Sequence, residues 1–262
     1  MKNKKCLKFL STVLVAFLII SIAPMNDAVV SEMKSSANGV IKNIGEVFEN
    51  FDFTLPKIDV KAEAASDYQY DFRVDEKTAT LYLDGGGYMP SYANDDAPWE
   101  DYKDIENLVI EGDFTILGTS AFEGFTKLKN VKMTGDVLII NASVFKDCSS
   151  LENVELSDYL AGIFGSAFAN CTSLKHIVIP ENTTCIYPNA FKNCPLEEIT
   201  LPFTGGGPQN ESAYSTTQFG YIFSTTEIPG TYPVKCYTNT LNTYYVPETL
   251  KKVTLTKYAG EY

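Results

Sequence analysis

Apolar residues fall at fixed places along much of the chain. The spacing apolar-x-x-apolar-x-apolar occurs at Ile105, Leu108 and Ile110, and again at Leu128, Val131 and Met133. It recurs at Leu151, Val154 and Leu156, at Leu174, Ile177 and Ile179, at Leu196, Ile199 and Leu201, and last at Leu250, Val253 and Leu255. Side chains alternate along a strand, so the last two apolar residues of each copy share one face and the residue between them points outward. Each copy predicts a short strand with one buried face. The outward residues would be Val109, Lys132, Glu155, Val178, Thr200 and Thr254, with Lys129, Glu152, Lys175 and Glu197 flanking them.

The connecting segments repeat as well. Phe122, Phe145, Phe168 and Phe191 stand 23 residues apart. Leu117, Ile140, Ile163 and Ile186 form a second column at the same period, and Phe114, Val137, Leu160 and Thr183 a third. Ala121, Val144, Ala167 and Ala190 place a small residue directly before each phenylalanine. A short fixed period is the signature of a solenoid, in which each unit buries its apolar face against its neighbours. An interior filled by such columns leaves no obvious pocket, which argues against an enzyme.

The motif A-F-x-x-C-x-x-L-x-x-I-x-I-P, complete from Ala167-Phe168 through Cys171, Leu174, Ile177 and Ile179 to Pro180, resembles the BspA-type leucine-rich repeat of bacterial surface proteins. The resemblance covers roughly residues 67–262. The first repeat departs from it with Phe125 in the cysteine place, and the fourth is one residue short before Leu196. It implies a β-rich α/β-type solenoid: a short right-handed leucine-rich repeat array of six rungs behind an N-terminal β cap. It also implies attachment to host matrix proteins or to other cells.

Around the array the organisation changes. A basic start and a short apolar run from Phe9 to Ala23 read as a secretory signal peptide over 1–28, with cleavage as late as 65. The run is short for a membrane span, and an uncleaved anchor is the alternative. Residues 29–66 read as a linker or extended leader. Residues 67–104 are expected to form the cap, with strands at Phe72-Arg-Val and Thr80–Asp84 around a turn at Glu76-Lys77, a loop at Gly85-Gly86-Gly87, an acidic loop at Asn94-Asp95-Asp96 and the single tryptophan, Trp99. Repeats then occupy 105–201, an aromatic insertion 202–247 and the final repeat strand 248–262.

Charge and cysteine content narrow the partners. The formal charge is −12 and Arg73 is the only arginine, so the chain lacks the cationic surface that nucleic acid or anionic lipid requires. Cys148, Cys171 and Cys194 lie on the period and are expected to stack as buried free thiols. A disulfide between Cys185 and Cys236 is open. His176 is the only histidine and falls on a solvated strand edge.

No arrangement of catalytic or metal-ligating residues stands out. Gly205-Gly206-Gly207 lacks the lysine and hydroxyl of a phosphate loop. Asp84-Gly-Gly-Gly lacks the alternating acids of a calcium loop. Asp95, Asp96, Glu100 and Asp101 read as a solvated acidic loop. No cofactor is expected.

The expectation for function is a secreted or cell-surface recognition protein, not an enzyme, that presents its solenoid and aromatic insertion to a host or other-cell surface protein. Aromatic side chains in loops give a large contact area at low entropic cost. Tyr214, Phe219, Tyr221 and Tyr232 are the candidate contact residues. A second reading has the same aromatics fold back to cover the side of the coil. A self-associating structural scaffold and a carbohydrate-binding module, with a glycan as partner, are the alternatives in function.

Overall fold

The computed structural model describes residues 70–92, 96–206, 219–237 and 241–256. The segments read as signal peptide and linker lie outside them, as do Asp95 and Tyr214. The chain opens with β1 (Tyr70–Asp75) and β2 (Thr80–Tyr88). Strands of two faces then alternate: β3 (Asn107–Ile110) with β4 (Asp113–Leu117), β5 (Asn130–Met133) with β6 (Ile139–Ile140), β7 (Asn153–Glu155) with β8 (Gly162–Ile163), and β9 (His176–Val178) with β10 (Cys185–Ile186). After β11 (Glu198–Leu201) come a hairpin, β12 (Thr231–Tyr237) and β13 (Leu241–Pro247), and finally β14 (Lys252–Leu255). The described residues contain two short 3₁₀ turns, Glu100–Tyr102 and Phe219–Ile222, and no α-helix.

Parallel pairing stacks the coils. On the first face β2, β3, β5 and β7 run side by side, and β9, β11 and β14 continue the stack. On the second face the order is β2-β4-β6-β8-β10. Residues one repeat apart pair: Val131 sits opposite Leu108 and Val154, and Ile177 opposite Ile199. This is a β-solenoid, as the period requires. Strand β5 shows the alternation plainly: Val131 and Met133 are buried while Lys132 between them is exposed.

The glycine run expected as a loop is instead part of a strand. β2 contributes Thr80–Leu83 to the first face, paired with β3, and Gly86–Tyr88 to the second, paired with β4. A strand that turns this corner needs backbone angles that a side chain disfavours, and Gly85 (φ 143°) and Gly87 (φ 79°) supply them. The next coil then packs tightly on the corner. A Cβ on Gly112 would lie 2.3 Å from the Gly85 carbonyl oxygen. β1 closes the free edge of β2 by antiparallel pairing from Tyr70↔Gly85 to Asp75↔Thr80.

The phenylalanines form one continuous stack. Ring centroids are 5.7 Å apart between Phe122 and Phe145, 5.3 Å between Phe145 and Phe168, and 5.6 Å between Phe168 and Phe191, with planes within 20° of parallel. Trp99 extends the stack at the N-terminal end, 5.2 Å from Phe122. It meets Tyr70, Phe72 and Tyr92 edge-on. Burial of each such ring contributes roughly 1.5–3 kcal/mol. Next to this stack Cys148, Cys171 and Cys194 are buried free thiols. Each donates Sγ–H to the phenylalanine carbonyl of the preceding coil: Phe122, Phe145 and Phe168, at 3.2, 3.1 and 2.9 Å.

The turns that carry the phenylalanines explain the polar letters around them. Ser120, Ser143, Ser166 and Asn189 have φ near +60°, and so do Asp147, Asn170 and Asn193, while Gly124 has φ 76°. Asn and Asp tolerate this left-handed conformation and Gly adopts it freely. The tight turns aim amide groups across the coils. Phe122 N–H donates to Val144 O at 2.9 Å, Phe145 to Ala167 at 2.8 Å and Phe168 to Ala190 at 2.8 Å.

Candidate functional site

The segment from Pro202 to Pro247 resolves into two excursions around one ordinary coil. From Ile179 to Phe191 the chain takes 12 residues to pass from a strand to the stacked phenylalanine, whereas from Leu201 to Phe223 it takes 22. Phe191 is followed by the next strand leucine after 5 residues, Phe223 only after 27. Between these excursions the coil contacts persist. Phe191 N–H donates to Ile222 O at 3.0 Å, as Phe168 does to Ala190, and Ile186 N–H donates to Gly206 O at 2.7 Å. Phe203, Ile222 and Phe223 are buried in the common core. These three therefore belong to a fifth coil and not to a recognition loop.

The candidate aromatics separate accordingly. Phe219 is half-buried and lies edge-on to Phe223 at 5.4 Å. Tyr221 is half-buried over the second face, so close to the backbone that a Cβ on Gly206 would lie 2.6 Å from its ring carbons. It also meets Tyr244 edge-on at 6.5 Å. Both side chains cover the coil. Tyr232, on β12, is 61% exposed and is presented outward. The structure brings Phe219 and Tyr221 together against the core and does not bring Tyr232 to them.

The hairpin β12–β13 is fastened at its base. Tyr245 N–H donates to Ser224 O at 2.8 Å, and Glu248 N–H donates to Gly230 O at 2.9 Å. Between its base and the coils lies a half-open cleft of about 250 Å³, lined by Phe191, Asn193, Cys194, Pro195 and Phe223 on the array side and by Pro229, Gly230 and Pro247 on the hairpin side. Sequence reasoning missed this cleft. The available signal was the register of Ile222-Phe223 with Ala190-Phe191, hidden by the ten-residue offset.

The outer strand face is held by side-chain ladders. Asn130 Nδ2–H donates to Asn107 Oδ1 at 2.7 Å, and Asn153 repeats the bond to Asn130 at 2.8 Å. His176 occupies the next place, exposed. In the flanking column Lys129 pairs with Glu106, and Glu197 takes both Lys175 and Lys251, at 3.1 and 2.6 Å. These two lysines hold the Glu197 carboxyl down to about 2. Val178 is 63% exposed in the middle of this face, and Val253 of β14 is 41% exposed where its neighbour Ile199 is 1% exposed.

Among the described residues, the thiol and phenol shifts that burial produces run against nucleophilic activation. Burial pushes the Cys148 thiol well up, and the Cys185 thiol to about 11. Burial likewise raises the Tyr187 phenol to about 12. A reactive thiol needs the opposite shift. Cys185 is a free thiol, and the side chain of Cys236 lies outside the description. Among the described residues no group of three or more His, Cys, Asp or Glu side chains is placed to hold a metal ion. No described helix is long and apolar enough to cross a membrane.

Residues 99–215 match the family model of the BspA type leucine rich repeat region, in six copies. No curated protein matches the chain. Among solved structures, a leucine-rich repeat protein of T. pallidum is 21% identical over 55% of this chain and 73% of its own, with a TM-score of 0.40. A leucine-rich repeat protein from Eubacterium ventriosum is 18% identical over 72% of this chain and 54% of its own, with a TM-score of 0.47. A leucine rich cell surface protein from Faecalibacterium prausnitzii is 20% identical over 54% of this chain and 49% of its own, with a TM-score of 0.31. The match thus spans about half the length of the last two proteins.

Proposed function

We propose, from the match of residues 99–215 to the BspA type leucine rich repeat region, that the chain is a secreted or cell-surface recognition protein that binds a protein on a host or another cell. The observation that carries this reading is the division of labour in the insertion. Phe219 and Tyr221 are used to cover the coil, whereas the hairpin is fastened at its base and holds Tyr232 out in solvent. A large, rigid and exposed aromatic on an anchored hairpin contributes contact area while losing little conformational freedom. The packed interior and the raised thiols favour binding over catalysis.

The test uses the full chain in biolayer interferometry against a panel of purified host extracellular-matrix proteins. Binding by the wild type is expected to be lost in Tyr232→Ser with no change in melting temperature. Tyr221→Ser is expected to lower the melting temperature. Binding that survives Tyr232→Ser unchanged, or hydrolysis of a glycan or peptide in an activity screen, overturns the proposal.

A structural, self-associating role is the second reading. It is favoured by the exposed Val253 on β14, whose counterparts Leu108, Val131, Ile177 and Ile199 are buried. Sedimentation that rises with concentration and is abolished by Val253→Lys supports it.

A further inference from the structure

Successive coils are knit together on their turn side by a regular series of amide bonds. Gly124 N–H donates to Lys146 O, Asp147 N–H to Ala169 O and Asn170 N–H to Lys192 O, each at 2.8 Å. The next donor in the series is Asn193 N–H, in the same left-handed turn at φ 58°. Register places its acceptor two residues beyond Ile222, which accepts from Phe191. That residue is Ser224, and its carbonyl is taken by Tyr245 N–H at 2.8 Å. The chain has left the coil for the hairpin. Among the described residues Asn193 N–H has no partner.

The same departure interrupts a side-chain column. Phe125, Cys148, Cys171 and Cys194 each stand three residues after a stacked phenylalanine and are buried. Three residues after Phe223 comes Thr226, which is exposed. The column stops at Cys194, and the cleft of about 250 Å³ opens against Cys194, Asn193, Phe191 and Phe223, with Pro229 and Pro247 on its far side. Asn193 is exposed, so its amide is an open end of the ladder, a backbone donor available to a partner's carbonyl beside the cleft. The volume falls below the roughly 300 Å³ at which small-molecule sites usually begin, so it suits a side chain on a peptide better than a metabolite.

We propose that this cleft captures an extended peptide segment of the partner protein, in the place that the rest of the fifth-coil turn would occupy. The segment gives one backbone carbonyl to Asn193 N–H and lays one small apolar side chain over Cys194, between the rings and the prolines. This is recognition by completing an interrupted backbone ladder, the strategy by which an added strand completes a sheet edge. The inference rests on the reading that the hairpin region contacts a protein partner, and names the subsite.

The probe is the blocked peptide acetyl-Ala-Asn-Val-Thr-Ser-amide, which copies residues 169–173 with valine in place of cysteine. It is titrated into the isotope-labelled full chain while backbone amide resonances are followed. Saturable downfield movement of the Asn193 amide is expected, accompanied by movement at Gly230. Thr172 lines the cleft and is exposed, so Thr172→Tyr is expected to fill it and abolish the movement at unchanged melting temperature. No movement at Asn193, or movement that persists in Thr172→Tyr, overturns the subsite. The two proposals fail separately. If the peptide leaves Asn193 unmoved while Tyr232→Ser still abolishes matrix-protein binding, only the subsite is wrong. If the peptide binds as described and no matrix protein binds the wild type, only the wider reading is wrong.

Discussion

The indole of Trp99 lies 5.2 Å from the ring of Phe122, with 17° between their planes, and donates Nε1–H to Ala121 O at 2.7 Å. The interval between them is 23 residues. Trp99 is thus the first member of the aromatic stack and not only a large side chain in the cap. It joins Tyr70, Phe72 and Tyr92 on one side to the repeat interior on the other.

Removing this junction should uncouple the cap. Trp99→Ala is expected to cost about 3–5 kcal/mol, the range for truncating a buried aromatic. Trp99→Phe keeps the stack and loses the hydrogen bond, so about 1 kcal/mol is expected from that loss, with a further cost for the smaller ring. Urea unfolding followed by circular dichroism checks both, since neither variant retains a tryptophan to report.

Phe145 has a ring stacked on each side, Phe122 and Phe168. The neighbours are fixed by their own coils and cannot close over a gap. Phe145→Ala is therefore expected to cost about 3–5 kcal/mol, and Phe145→Leu clearly less, because leucine refills most of the space. Denaturant midpoints at constant m-value decide between this result and the small effect expected of a surface residue.

Glu197 joins the rungs on either side of the second excursion by accepting Lys175 and Lys251. Its folded value, about 2, lies below the ordinary carboxyl value of 4.5. A carboxyl depressed in the folded state stabilises above its unfolded value, and that contribution is lost as pH falls from about 4.5 through 2. Glu197→Gln is expected to flatten the fall of melting temperature over this interval. The effect should shrink with added salt, since the groups are partly exposed. An unchanged acid profile contradicts the pairing.

The Cys185 thiol shows the opposite sign. Its folded value, about 11, exceeds the ordinary 9.0 because burial disfavours the thiolate. Above pH 9 the unfolded chain releases this proton and the folded chain keeps it, so stability falls as pH rises from 9 to 11. Two pKa units correspond to roughly 2–3 kcal/mol. Cys185→Ala should remove that part of the alkaline slope, read from urea midpoints at stepped pH.

Much of the architecture was legible because repetition multiplies a weak local signal. A single Ala-Phe pair predicts nothing, but Phe122, Phe145, Phe168 and Phe191 at one spacing fix a column, and the structure stacks them. The thiol column was legible on the same ground. Trp99 holds the right interval but sits in a segment of different composition, so its place in the stack did not show. Gly85–Gly87 read as a loop because glycine weakens isolated strands, whereas here it lets one strand serve two faces. Phe203 and Phe223 read as loop aromatics because the excursions shift them off the period. The strand-face charges show no evident order when taken along the sequence. Their order, Glu106, Lys129, Glu152, Lys175, Glu197 and Lys251, becomes an alternating column only once adjacent rungs are aligned.

The central claim is that residues one period apart touch through the interior, from the cap to the fourth coil. Nuclear Overhauser contacts between ring protons, in a chain labelled only at phenylalanine and tryptophan, measure this directly. The account predicts cross-peaks linking Trp99 to Phe122, Phe122 to Phe145, Phe145 to Phe168 and Phe168 to Phe191 in unbroken series. Rings that show no contact at the 23-residue interval, or that contact one another out of this order, contradict it.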